Sequence, residues 1–106
     1  MTNLAATTNR IHVLLDGLER GVHPDRPNLE TTLTDGYACA LTLDAECMRL
    51  ERCISARAER LARGSQDEAN ELSALARLLT ARRGELTSLR ELLASLKNGA
   101  REPRVA

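Results

Sequence analysis

Two long segments of this sequence repeat apolar residues every seven positions, and a short glycine-containing turn separates them. In the first segment the heptad positions are Leu33, Gly36, Ala40, Leu43, Cys47, Leu50, Ile54 and Leu61. In the second segment they are Leu72, Leu75, Leu79, Arg82, Leu86, Leu89, Leu93 and Leu96. Heptads of this kind predict long helices that pack side by side through leucine seams.

Folding the chain back at Gly64 brings the two heptad patterns into one register. The residue numbers of facing positions then add up to one constant, so Ile54 faces Leu75 and Leu50 faces Leu79. Gly36 and Ala40 face leucines, and pairing a small residue with a large one lets helices approach closely. The sequence therefore predicts an all-α fold built on a long antiparallel helical hairpin, similar to a coiled coil.

We expect one helical domain over residues 1–99. Its predicted helices cover about 2–20, about 29–63 and about 66–97, and residues 100–106 are expected to form a flexible C-terminal tail. A hairpin of two helices buries little apolar surface by itself. The short first helix is therefore expected to pack on the hairpin, and dimerisation is expected to complete a bundle.

Local signals mark the predicted helix ends. Gly64 can adopt the left-handed conformation that closes a helix. Ser65 and Glu68 have the spacing of a capping box for the third helix. Asn28 is a predicted N-cap for the second helix, after a proline-rich break over 21–27. Gly99 is expected to lie just beyond the end of the third helix.

Composition argues against several classes of protein. Fifteen basic and fifteen acidic side chains cancel, so a nucleic-acid binder or a polybasic membrane binder is not expected. One Tyr, with no Trp or Phe, leaves few aromatic side chains for stacking on nucleic-acid bases.

The first residues do not resemble a secretory signal. Three cysteines without a CxxC motif suggest reduced thiols, hence a cytoplasmic protein. Fourteen Arg against one Lys are typical of a GC-rich genome, and we expect a bacterial source.

A second apolar stripe accompanies the seam on the second helix. Its members are spaced four, four and three residues apart: Tyr37, Leu41, Ala45 and Met48. The first helix is the expected cover for this stripe. Leu78 and Leu92 form a further apolar edge on the third helix. Because exposed apolar edges of this length usually find a partner, the candidate interaction surface comprises Tyr37, Leu41, Met48, Leu78 and Leu92.

Arg82 is the charged residue at a seam position of the third helix, and the register places it opposite Cys47. One interpretation is a redox-sensitive thiol beside a cation. The preferred interpretation is that the stem of Arg82 packs while its guanidinium reaches Asp44, Glu51 or Glu85. Charged seam residues commonly set register or oligomeric state, so Arg82 and Cys47 are candidates for that role.

No constellation in the sequence indicates catalysis, a cofactor or a metal ion. The two histidines are isolated, and there is no glycine-rich phosphate loop. We therefore expect a non-enzymatic helical adaptor or chaperone-like module that binds another protein through an apolar groove and also binds itself, as a homodimer or a higher bundle. A purely structural homo-oligomerisation unit is the alternative. A regulator that inserts its hairpin tip into a nucleic-acid machine and a thiol redox sensor rank lower.

Overall fold

The computed structural model describes residues 3–101, of which 88 % are helical. Its helices are α1 (Leu4–Glu19), α2 (Arg26–Ala62) and α3 (Glu68–Arg101), and no strand occurs within 3–101. This confirms the predicted all-α fold with a long helix pair.

Backbone and side-chain caps explain where α1 begins and ends. Asn3 is its N-cap, and the side-chain oxygen accepts hydrogen bonds from the backbone N–H groups of Ala5 (2.9 Å) and Ala6 (3.3 Å). After α1, Gly21 adopts φ +79°, and the N–H of Val22 donates to the carbonyl of Gly17 at 2.7 Å. These are features of a Schellman motif, in which a glycine in the left-handed conformation ends the helix.

The start of α2 differs from the prediction. The helix begins at Arg26, and the N–H of Asn28 donates to the Asp25 carboxylate at 3.4 Å. Asp25, and not Asn28, therefore caps α2. Pro27 lies within the first turn of the helix, where a missing N–H costs little because that group has no intrahelical acceptor.

The turn between α2 and α3 contains a Schellman motif but no capping box. Gly64 has φ +102°, its N–H donates to Leu61, and the N–H of Ser65 donates to Arg60 at 3.1 Å. The predicted capping box is wrong because α3 begins at Glu68, so this residue is not in the third helical position. Its carboxylate instead accepts charge-assisted hydrogen bonds from two arginines of α2.

The end of α3 lies beyond the predicted position. Gly99 and Ala100 are helical, so Gly99 is not a terminator. A Cβ added to Gly99 would lie 3.2 Å from Cδ1 of Leu18, which shows that Gly99 allows α1 to approach α3 closely. Residues 100 and 101, which were predicted to belong to the flexible tail, are therefore part of α3. The remaining residues 102–106 lie outside the described part of the chain.

The described residues form two compact units. The turn unit is Thr42–Leu86 and contains the α2–α3 turn. Its core joins Cys47, Leu50 and Leu79, with Ile54 and Leu75 packed against them. The register deduced from the heptads brings these same residues together.

The α1 unit contains the described chain up to Leu41 and from Thr87 onward. Its fully buried large side chains include Ile11, Leu89, Leu93 and Leu96. Gly36 contacts the side chain of Leu93, and an added Cβ would lie 3.3 Å from Cγ of Leu93. Gly36 is thus a close-packing position, in agreement with the predicted register.

Helix α1 does not cover the stripe that it was predicted to cover. Arg10 of α1 forms an ion pair with Asp35 of α2 at 2.6 Å, whereas Tyr37 and Leu41 stay 45 % and 72 % exposed. Asp35 and Tyr37 are two residues apart, or about 200° around the helix at 3.6 residues per turn. The side of α2 that contacts Arg10 is therefore nearly opposite the side that presents Tyr37.

Candidate functional site

The α1 unit exposes an apolar pair on α2. Tyr37 and Leu41 are one helical turn apart, so their side chains are neighbours on the helix surface. Leu41 is the most exposed of the large hydrophobic side chains described, at 72 %. An exposed aromatic and an exposed leucine side by side are typical of a surface that binds another apolar surface.

A groove between α2 and α3 begins beside this pair. It has a volume of about 300 Å³ and is open to solvent along one side. Tyr37 lines it from α2, while the apolar floor and rim on α3 include Leu93 and Ala94. Lys97 and Arg101 line the same groove from α3. An apolar floor with cations along one wall can bind an apolar side chain and an anionic group together.

The charge of this groove differs from the rest of the described surface. No Asp or Glu lines it, and Lys97 and Arg101 form no ion pair with any residue of 3–101. Elsewhere the cations of the hairpin are mostly matched by carboxylates, as Arg83 is by Glu51. Lys97 and Arg101 are four residues apart on one face of α3, where like charges repel.

The remaining predicted surface residues are not equally exposed. In the turn unit, Met48 is 51 % exposed and Leu78 is 36 % exposed. In the α1 unit, Leu92 is half-buried and therefore offers less apolar surface to a partner than the heptad pattern suggested.

Arg82 forms ion pairs on both helices of the turn unit. It donates to Glu46 of α2 at 3.1 Å and to Glu85 of α3 at 2.9 Å. The hydrogen bond that Arg82 donates to Glu46 and the negative charge of Glu85 raise the pKa of Arg82. Glu85 was an expected partner, and Glu46 was not; the expected partner Glu51 pairs with Arg83 instead. Cys47 is buried in the apolar core of this unit.

The tip of the hairpin carries a local ion-pair network. Arg57 and Arg60 of α2 donate to Glu68 at 2.9 and 3.0 Å, and Arg57 also pairs with Glu71. The hydrogen bond from Arg60, followed by that from Arg57, holds the pKa of the Glu68 carboxyl below its usual value. Since these arginines already contact carboxylates, the tip does not present a bare cationic patch.

The cysteines, histidines and acidic side chains do not form an evident metal site. Within residues 3–101, no group of three or more His, Cys, Asp or Glu side chains is arranged to hold a metal ion. Cys39 and Cys47 are buried free thiols, and Cys53 is half-buried. His23 lies in the α1–α2 connection, with its Nε2 atom 3.1 Å from the carbonyl oxygen of Ala100. No helix of the described chain combines the length and the apolarity needed to cross a membrane.

Sequence reasoning identified Tyr37 but missed the cations beside it. Lys97 lies in the last turn of the predicted third helix, and Arg101 falls within residues 100–106, which were predicted to form the tail. The available signal was their spacing, because Arg90, Ala94, Lys97 and Arg101 recur at intervals that place them on one face of a helix.

Comparison with protein-family models, with curated proteins and with solved structures finds no match to this chain.

Proposed function

We propose that this chain is a non-enzymatic protein–protein interaction module of the adaptor or chaperone-like type. The observation that carries the proposal is the exposure of Tyr37 and Leu41 on α2. The chain has a short helix of its own that could cover them, yet α1 packs on another side of α2. Leaving this pair open costs the free chain apolar burial, and a partner helix would recover it.

Self-association is part of the same proposal. The turn unit exposes Met48 and Leu78, which supports a homodimer formed through this unit. A purely structural homo-oligomerisation unit is the second candidate, since self-assembly could also cover Tyr37 and Leu41. The two candidates differ in which apolar residues a second copy occupies. A cytoplasmic, bacterial setting belongs to the proposal as an expectation from the composition.

Site-specific photo-crosslinking tests the proposal. A benzophenone side chain is placed at position 41, and a matched probe is placed at the exposed Arg77 of the turn unit. Irradiation in extract of the source cell should give a discrete adduct at position 41 that is absent at position 77, where the neighbouring Leu78 should allow crosslinks only to a second copy of this chain. The adduct should contain a second protein, identified by mass spectrometry.

The possible results separate the two candidates. An adduct at position 41 that contains only a second copy of this chain would favour the structural unit. Crosslinks to the same second protein at positions 41 and 77 would contradict a specific surface at Leu41. Unlabelled native chain should compete with the probe-carrying chain and reduce the adduct, whereas unlabelled Leu41→Gln chain should not. The melting temperature of Leu41→Gln should be nearly unchanged, because the side chain of Leu41 is already mostly exposed.

A further inference from the structure

We infer that the groove beside Tyr37 selects a partner helix that carries carboxylates next to its apolar residues. This inference rests on the proposed function and adds to it the chemistry of the partner. The groove concerned lies within the α1 unit, and the residues that line it include Tyr37, Leu93, Lys97, Arg101 and a third cation, Arg90.

The shape of the groove fits a side chain that projects from a helix. Its volume of about 300 Å³ is close to that of small ligand pockets, but it is open along its length. Leu93 provides an apolar floor, and the exposed ring of Tyr37 forms one wall. An apolar side chain of a partner can therefore enter between α2 and α3 while its helix lies across Leu41.

The positive charges around the groove favour acidic residues next to the apolar side chain of that partner. Lys97 and Arg101 lie one helical turn apart, and no carboxylate lines the groove with them. Exposed cations also occur singly elsewhere, as at Arg77. A partner carboxylate placed between Lys97 and Arg101 would relieve their mutual repulsion, which gives acidic sequences an advantage over neutral or basic ones.

A peptide-binding measurement tests this inference on the full chain. The probe is a fluorescein-labelled amphipathic peptide of about 15 residues, near the minimum length of a helix in water, with leucines on one face and glutamates beside them. Two matched peptides carry Gln or Lys in place of Glu. Fluorescence anisotropy should show tighter binding of the Glu peptide than of the Gln peptide, and the weakest binding for the Lys peptide. The preference should fall as the salt concentration rises.

Charge variants locate the effect. The double variant Lys97→Glu with Arg101→Glu should weaken Glu-peptide binding about tenfold, because two surface ion pairs become repulsive. Arg77→Glu is the matched control, since Arg77 is exposed and forms no ion pair with the described residues. It should leave the affinity unchanged. The milder pair Lys97→Gln with Arg101→Gln replaces the double variant if circular dichroism shows that the charge reversal unfolds α3.

Distinct results overturn this inference and the proposed function. Equal affinity for the Glu and Gln peptides, with both weakened by Leu41→Gln, would reject acidic selection and leave the apolar docking surface intact. Tighter binding of a single-stranded oligonucleotide than of the Glu peptide would reject a helix as the occupant. Lack of binding by every peptide, together with no specific crosslink at position 41, would reject the proposed function itself.

Discussion

The hydroxyl of Thr32 is buried without a hydrogen-bond partner among the described residues. A buried polar group in this state costs free energy that an isosteric apolar group does not. We expect Thr32→Val to raise the free energy of unfolding by about 1 kcal/mol, or about 4–8 °C in melting temperature. Thermal denaturation followed by circular dichroism measures the change.

Thr7 offers a matched control at the same scale. It is as buried as Thr32, but its hydroxyl accepts a hydrogen bond from Arg10 at 3.5 Å. Thr7→Val should therefore be neutral or slightly destabilising. A stabilisation by Thr7→Val equal to that by Thr32→Val would show that the gain comes from a more apolar interior and not from removing an unpaired hydroxyl.

Two helical glycines should respond to alanine with opposite signs. At Gly36 an added methyl group collides with the buried Leu93, whereas at Gly84 nothing lies within 4 Å. Gly84→Ala should stabilise the protein by about 1 kcal/mol through helix propensity alone. Gly36→Ala gains the same propensity but overpacks the core, so we expect a net loss of about 1 kcal/mol. Urea unfolding at one fixed protein concentration compares them, and a stabilised Gly36→Ala would contradict the close contact.

The hairpin tip is an element whose stability should depend on pH. Arg60 and Arg57 lower the pKa of Glu68 in the folded chain. The carboxylate therefore contributes stability above about pH 4.3, the ordinary pKa of a glutamate, and this contribution is lost as the pH falls through the lower, folded-state pKa.

The variant Glu68→Gln isolates this contribution. The melting temperature of the native chain should exceed that of Glu68→Gln by a constant amount between about pH 6 and pH 8, where the carboxyl is ionised in both states. The difference should shrink under more acidic conditions. Because the pairs are partly exposed, the gap should also narrow at high salt. A gap that grows toward low pH would contradict the assigned ion pairs.

At the level of elements, local signals and long-range packing were predictable to different degrees. Gly64 could be assigned because a Schellman turn depends on one residue and its neighbours. Gly99 could not, because its role depends on Leu18, which is distant in sequence. The side of α2 chosen by α1 was missed for the same reason, since the Arg10–Asp35 pair has no local pattern. The cations Lys97 and Arg101 showed a helical spacing, but the groove beside them requires Tyr37 from another helix.

The oligomeric state belongs to the scale of the whole molecule. Light scattering during size-exclusion chromatography should give twice the chain mass of 11.6 kDa, and the measurement should cover about a hundredfold range of protein concentration. Leu78→Gln should shift the mass toward the monomer because it weakens the apolar surface of the turn unit. Leu41→Gln makes the same chemical change in the α1 unit. It should leave the mass unchanged, because Leu41 is not part of the proposed homodimer surface. The opposite pattern would assign self-association to Leu41 and favour the purely structural unit.

The contacts near the Gly64 turn also have a consequence for the order in which the turn unit folds. Arg57 and Glu68 are eleven residues apart, whereas Leu43 and Leu86, buried in the same unit, are much farther apart along the chain. Closing a short loop costs less entropy than closing a long one, so pairing of the helices should start at the turn and proceed away from it. Kinetic φ-values should therefore be higher at Leu75 than at Leu86, and equal values would contradict this order. During synthesis on the ribosome, α3 would then spend little time unpaired, because each new turn of α3 emerges next to a segment of α2 that has already been synthesised.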